Sequence, residues 1–155
     1  MIEAIAAAEA AAHVWPRHAV PSSTVPSPAK ESLASPQDYG RYRAKLQRAL
    51  SRMGGTYALV DILRALDDGS MQSFAEDNSL VVTNILHFPR QKVLNIVLAV
   101  GDLRDVLKIE PRLIAFAREI GAGVIQAYGR VGWRFEARRL GWKVRSRGCI
   151  YCLEM

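Results

Sequence analysis

The sequence predicts a mixed α/β domain in which helices cover both faces of a single sheet. Near residue 70 the pattern changes from amphipathic helices to three consecutive strand-like segments. Segment 92–128 then has the order strand, helix, strand, which is typical of a right-handed parallel crossover. The apolar run around Val93, Ile96 and Leu98 predicts a central strand that is covered on both faces.

Two helices are predicted at the start of this domain. Ser35 and Pro36 suit the N-cap and the first helical position of one helix, which Gly54-Gly55 ends. Its apolar residues at helical spacing are Tyr39, Tyr42, Leu46, Leu50 and Met53. A second helix is predicted from about Thr56 to Leu66, with Leu59, Ile62, Leu63 and Leu66 on its inner face.

Strands are predicted at 71–76, 79–88 and 92–100, with turn signals between them. Segment 101–110 reads as a connection, and a helix is predicted to start at Pro111 and to stop at Gly121. The inward residues of that helix are predicted to be Leu113, Phe116, Ala117 and Ile120.

The end of the chain predicts a strand at 123–128, a helix at 130–140 and one or two strands at 142–155. Val131, Phe135 and Leu140 are expected to face inward from this last helix. Cys149 and Cys152 form a C-x-x-C pair in a strand-like stretch, so we expect packing rather than redox chemistry. Zinc would need a second pair of ligands, which the sequence does not offer nearby, and no metal site is predicted.

Residues 1–36 are predicted to lie outside the domain, which spans 37–155. An Ala-rich segment is followed by a Pro/Ser-rich stretch that holds five of the seven prolines. Such a stretch cannot continue a helix and buries little, so we expect an extended arm. No apolar run is long enough to cross a bilayer, and the first residues lack the basic start of a signal peptide. These features predict a cytoplasm-like compartment and no membrane partner.

The order of elements resembles the GNAT (N-acetyltransferase) superfamily, and more closely small GNAT-like proteins encoded among phage virion and head–tail genes. The resemblance is carried by the strand meander before the crossover and by the helix that leads through Leu140-Gly141-Trp142 into a strand. It covers about residues 55 to 155, in segments 61–74, 81–102, 117–133 and 140–143. The resemblance implies a GNAT-like mixed sheet.

In active GNAT enzymes, the turn after the fourth strand carries a Q/R-x-x-G-x-G/A motif whose backbone N–H groups hold the pyrophosphate of acetyl-CoA. The corresponding segment here is 101–112, which has no glycine after Gly101. Asp102, Asp105 and Glu110 add negative charge, and Pro111 at the expected helix start removes a donor. We therefore expect no cofactor. Should acetyl-CoA bind, the candidate contacts are Val100, Gly101 and Arg104.

Many members of the superfamily place a tyrosine in the last helix as the general acid, five residues before the aromatic residue of the L-G-F/Y/W ending. Counting back from Trp142 gives Ala137, which transfers no proton. Candidate general bases are Glu76, Asp77 and His87, but the first two are ordinary turn residues and the third ends a strand. No catalytic residue is assigned.

Basic residues concentrate near the end of the chain. Seven of the 21 Lys and Arg residues lie between Arg130 and Arg147 with one acid, Glu136, so this segment carries +6, as does the whole chain. The predicted polyanion-binding or partner-binding residues are Arg130, Arg134, Arg138, Lys143, Arg145 and Arg147. A solvated basic face is the alternative.

Three functions fit these observations. The first is a virion-associated structural or assembly protein with an inactive GNAT-like domain, located in the virion or host cytoplasm. Its arm would dock on other virion subunits, and its basic end would meet packaged nucleic acid or an acidic subunit. The alternative is an acetyl-CoA-dependent N-acetyltransferase with a divergent pyrophosphate loop. A plain nucleic-acid-binding domain ranks last, because no recognition motif is present.

Overall fold

A computed structural model describes residues 39–129, 134–145 and 150–155 of the chain. The predicted arm, residues 1–36, lies outside these ranges, as does the helix start assigned to Ser35 and Pro36. In the described residues, no helix is both long and apolar enough to span a membrane.

One mixed sheet of six strands forms the centre of the domain, in the order β1-β2-β3-β4-β6-β5. The strands are β1 Met71–Glu76, β2 Ser79–Phe88, β3 Gln91–Val100, β4 Ala122–Tyr128, β5 Lys143–Arg145 and β6 Ile150–Glu154. The first three are antiparallel, β3 and β4 are parallel, and β6 is antiparallel to both β4 and β5. The predicted meander and parallel crossover are confirmed.

Helices cover both faces of the sheet, as predicted. They are α1 Tyr39–Leu50, α2 Leu59–Asp67, α3 Leu103–Glu119 and the short α4 Arg134–Arg139. On one face, α1 and α2 pack on β-strand residues that include Leu80, Val82 and Leu98. On the other face, α3 packs on residues that include Val81 and Leu94. Strand β3 contributes to both clusters, so it is the central strand that its apolar run predicts.

Helix α1 is joined by hydrogen bonds to β1 and to the β1–β2 turn. The Tyr39 hydroxyl shares a 2.8 Å hydrogen bond with Ser73 Oγ, and the Tyr42 hydroxyl donates to the Asp77 carbonyl over 3.0 Å. Arg41 donates to the same carbonyl. Lys45 Nζ donates to the neighbouring carbonyl of Asn78, and the apolar face beneath these contacts is fully buried at Leu46.

Helix α3 starts earlier than predicted. It begins at Leu103, after Asp102 as the N-cap, and it runs through Pro111. Pro111 therefore lies inside the helix, and its placement at the helix start was wrong. Apolar residues continue at helical spacing before the proline, with Ile109 fully buried, and Pro111 faces solvent. The missing proline N–H removes one helix bond without disturbing the buried face.

Two predicted inward residues are exposed instead. Phe135 is 80% exposed on α4, whose inner side is formed by Ala137 and Leu140. Leu63 is 36% exposed because the buried face of α2 centres on the fully buried Ile62, one residue and therefore about 100° away. Helix α2 also begins at Leu59 rather than near Thr56.

Gly101 allows the end of β3 to lie against the β1–β2 turn. Its φ is +111°, and a Cβ atom there would lie 2.2 Å from Ser79 Oγ and 2.6 Å from the Asn78 carbonyl oxygen. Ser79 Oγ in turn accepts the N–H of Asp102 over 2.8 Å. A side chain at position 101 would therefore push apart the turn and the start of α3.

We expect Gly101→Ala to lower the free energy of unfolding by about 3 kcal/mol, because it combines backbone strain with a clash against backbone atoms. The matched control is Gly121→Ala, which has a φ of +67° but no atom within 4 Å of the added Cβ. That control should lose only about 1 kcal/mol. Urea unfolding of both variants measures the difference, and equal losses would contradict the close-contact explanation.

Candidate functional site

Strands β3 and β4 separate halfway along β3. Their parallel pairing ends at Ile96 and Ala127, whereas β3 continues to Val100 alongside β2 alone. The register between β2 and β3 shifts at the same point, which leaves Val97 as the extra residue of a β-bulge. A bulge bends its strand and sharpens its twist, so it directs the outer half of β3 away from β4.

A cleft of about 780 Å³ occupies this gap. It lies at the carboxyl ends of two parallel strands, which is where open α/β sheets bind ligands, and its volume is typical of ligand pockets. Apolar side chains form most of its floor: Ile96, Val97, Leu98, Val100, Leu103, Val106 and Leu107. Because residues of α1, α3 and α4 all line it, the cleft reaches both faces of the sheet.

The two sides of the cleft carry opposite charge. Helix α1 and the turn after it contribute Lys45, Arg48 and Arg52. The α3–α4 side contributes Asp102, Glu110 and Glu136. A ligand with an anionic and a cationic or neutral end would therefore be oriented by the cleft.

Trp142 closes the α3–α4 side. Helix α4 ends in a Schellman motif, in which Gly141 N–H donates to the Arg138 carbonyl and Trp142 N–H donates to the Ala137 carbonyl. Gly141 supplies the required positive φ of +81°. The indole N–H of Trp142 then donates to Glu110 Oε1 over 2.6 Å. The predicted passage through Leu140-Gly141-Trp142 into a strand is confirmed, and Trp142 packs at the edge of the core.

The first turn of α3 is poorly suited to a pyrophosphate group. The Asp102 N–H is already bonded to Ser79, and the Asp105 N–H bonds back to the Asp102 carbonyl over 3.2 Å. This leaves the N–H groups of Leu103 and Arg104, with two carboxylates beside them. Of the candidate cofactor contacts, Val100 and Gly101 line the cleft, whereas Arg104 is exposed outside its lining. The residues present do not reproduce the phosphate cradle.

The three candidate bases do not line the cleft. Glu76 forms an ion pair with Arg112 over 3.1 Å, and Asp77 pairs with Lys108 over the same distance. Hydrogen bonds with Asp77 and then Asp105 raise the pKa of Lys108 above its ordinary value. His87 is exposed at the far end of β2 from Ser79. Glu76 and Asp77 therefore fasten the β1–β2 hairpin to α3.

Ala137 lines the cleft on α4, so the position expected for a general acid faces the site without a proton to give. Two tyrosines that the sequence analysis did not select also line the cleft: Tyr128, which is 47% exposed at the end of β4, and Tyr151, which is buried in β6. The signal for Tyr128 in the sequence is its position at the end of the strand that follows the crossover.

The structure describes part of the predicted C-terminal cation cluster. Arg134 and Arg138 lie four residues apart on α4, and Lys143 and Arg145 lie in the edge strand β5. Lys143 is paired with Glu154, and the neighbouring Arg139 is paired with Glu136 over 3.2 Å. Arg130 and Arg147 lie outside the described residues. Binding of a polyanion or partner by this cluster stays a prediction.

The basic residues of α1 were not selected from the sequence. Arg41, Lys45 and Arg48 follow the spacing i, i+4, i+7, which places them on one side of the helix, and Arg52 follows in the turn after it. That spacing was the available signal, but the segment near the end of the chain has more basic residues in total and was selected instead.

Of the two cysteines, Cys152 is a buried free thiol in β6, which agrees with the packing interpretation, and Cys149 lies outside the described residues. Across residues 39–129, 134–145 and 150–155, no three His, Cys, Asp or Glu side chains are grouped to hold a metal ion.

Comparison with known proteins finds similarity in structure. No protein-family model matches the chain, and no curated protein sequence matches it significantly. Among solved structures, it is similar to a GNAT family acetyltransferase from Brucella melitensis in complex with acetyl-CoA. The two share 20% identity at a TM-score of 0.47, over 79% of this chain and 85% of the other.

The hydrogen bond between Trp142 and Glu110 should stabilise the wall of the cleft. In a double-mutant cycle of Trp142→Phe and Glu110→Ala, we expect a coupling free energy of about 1.5 kcal/mol, because the acceptor is charged. Urea unfolding of the two single variants and the double variant gives this value. A coupling near zero would mean that the bond contributes nothing to stability.

Proposed function

We propose that this chain is a GNAT-like binding and assembly subunit of a phage particle, and that it does not transfer acetyl groups. The absence of acetyl transfer is supported by the first turn of α3. There, one N–H is bonded to Ser79 and the carboxylates of Asp102 and Asp105 stand beside the remaining donors. A helix N-terminus favours anions only where its donors are free and its surroundings are not negative.

Ala137 supports the same proposal. It lies within α4 on the cleft wall, where the resemblance places a general acid, and its methyl group carries no exchangeable proton. Acetyl transfer from a thioester releases a thiolate, and protonation of that leaving group is the step that the missing residue would assist.

The particle role rests on the resemblance and on the composition of the N-terminal segment. The order of elements in residues 55–155 resembles GNAT-like proteins encoded among virion genes, and this resemblance is the basis of the proposed role. Residues 1–36 combine alanine, serine and proline, which suits a segment that becomes ordered by docking on a neighbouring subunit. The proposed partners are other virion subunits, and the proposed locations are the virion and the host cytoplasm.

Calorimetric titration with acetyl-CoA tests the missing transfer chemistry. We expect no binding by the unaltered chain at millimolar acetyl-CoA. The variant Asp102→Asn/Asp105→Asn should bind more tightly than the unaltered chain, because it removes two negative charges beside the α3 donors. Lys108→Gln, which removes a positive charge on the same helix, is the control and should not improve binding. Micromolar affinity of the unaltered chain would contradict the proposal.

Deletion of residues 1–36 tests the assembly role. In a phage that encodes the chain, we expect the truncated protein to be absent from purified particles although it accumulates folded in the lysate. Arg90→Ser, an exposed turn substitution, should leave incorporation unchanged. Normal incorporation of the truncated chain would remove the arm from the proposal.

A second candidate is an acetyl-CoA-dependent N-acetyltransferase with a divergent pyrophosphate loop. It is favoured by the cleft, which opens to both faces of the sheet and so offers separate approaches to two substrates. Tyr128 brings a phenol group to this cleft. Release of coenzyme A thiol from acetyl-CoA that is lost in Tyr128→Phe, while acetyl-CoA still binds, would support this candidate over the first.

A further inference from the structure

The strongest unassigned feature is a row of cations on α1 and the turn after it, which we call the α1 stripe and define as Arg41, Lys45, Arg48 and Arg52. At about 100° and 1.5 Å per residue, Arg41, Lys45 and Arg48 fall within about 60° of one another around the helix axis and extend over about 10 Å. Arg52 follows in the turn after Leu50. Arg43, on the same helix, points to nearly the opposite side.

The positive charge of the stripe is not neutralised within the described residues. Arg41 and Lys45 donate to backbone carbonyls, those of Asp77 and Asn78, which fixes their side chains without cancelling their charge. Arg48 and Arg52 are exposed and form no ion pair with a described carboxylate. Segment 39–53 contains no acidic residue. The stripe is therefore an ordered row of available cations.

The stripe borders the cleft. Lys45, Arg48 and Arg52 form its basic side, next to the apolar floor that includes Val97 and Leu103. Leu103 is 39% exposed, so part of that floor is open to a partner. A row of cations beside an open apolar surface selects a partner with acidic groups on one side and apolar groups on the adjacent side.

We infer that the α1 stripe and the cleft floor together bind an acidic amphipathic helix of another protein. Carboxylates at positions i, i+4 and i+7 of such a helix repeat at the spacing of Arg41, Lys45 and Arg48, while its apolar side chains enter the cleft. Nucleic acid matches the charge but has no aliphatic side chains for the floor. The acidic residues Glu110 and Glu136 on the far side of the cleft repel carboxylates and so favour one orientation.

This inference does not require the particle role or the absence of acetyl transfer, since it rests on α1 and the cleft alone. The probe is a fluorescein-labelled synthetic helix about four turns long, with Glu along one side and Leu along the adjacent side. Comparison probes replace Leu by Ser or Glu by Lys, and a single-stranded oligothymidine of similar length represents nucleic acid. Fluorescence anisotropy with the full chain measures each dissociation constant.

We expect the Glu/Leu probe to bind and Arg48→Glu/Arg52→Glu to raise its dissociation constant at least ~10-fold, through loss of attraction and added repulsion. Arg43→Glu, on the other side of α1, is the control for the single variant Arg48→Glu, because both make the same change in net charge. Arg43→Glu should change the constant less than about twofold, and less than Arg48→Glu does. Thermal unfolding of each variant confirms that the fold is retained. Arg48→Gln/Arg52→Gln, which removes the attraction without adding repulsion, should give an intermediate loss of affinity.

Other outcomes would overturn the inference. An equal loss of affinity in Arg43→Glu and Arg48→Glu would show that the effect depends only on the net charge of the protein. Equal binding of the Ser-containing probe would remove the cleft floor from the site. Tighter binding of oligothymidine than of the Glu/Leu probe would assign the stripe to nucleic acid instead.

Discussion

The separation of β3 from β4 beyond Ile96 is the constraint on which the rest of the domain depends. A strand that leaves one neighbour must keep its hydrogen bonds to the other, and β3 does so through its pairing with β2 up to Val100. The bulge at Val97 starts the separation, and Gly101 ends it by fitting β3 against the turn before β2. Helix α3 then begins at the open end, and Trp142 bounds the gap from α4.

Much of this arrangement follows from the sequence because its strands are marked by simple signals. The strands predicted at 71–76, 79–88 and 92–100 lie within one residue of the observed ones, because Asp77-Asn78 and Pro89-Arg90 mark tight turns. The start of α3 was harder to predict, because a proline usually marks the first turn of a helix, whereas Pro111 lies inside α3. The bulge at Val97 has no local signal, since it depends on pairing with two neighbouring strands.

The candidate site shows a similar division between local and spatial information. Ala137 was located by counting along the chain from Trp142, and the structure places it on the cleft wall. The arrangement of the basic residues was harder to predict, because residues that are close along the chain need not lie close together in space. Near the end of the chain, Lys143 and Arg139 meet carboxylates, whereas the four cations of the α1 stripe form no ion pair with a described carboxylate.

The contacts between α1 and the β1–β2 hairpin decide how the helix can leave the sheet. Tyr39, Tyr42 and Lys45 bond in order to Ser73, Asp77 and Asn78, along one side of the helix. Leu46 is fully buried beneath these bonds. Detachment of α1 therefore breaks these three hydrogen bonds and exposes an apolar face, so we expect the helix and the hairpin to open as one cooperative unit.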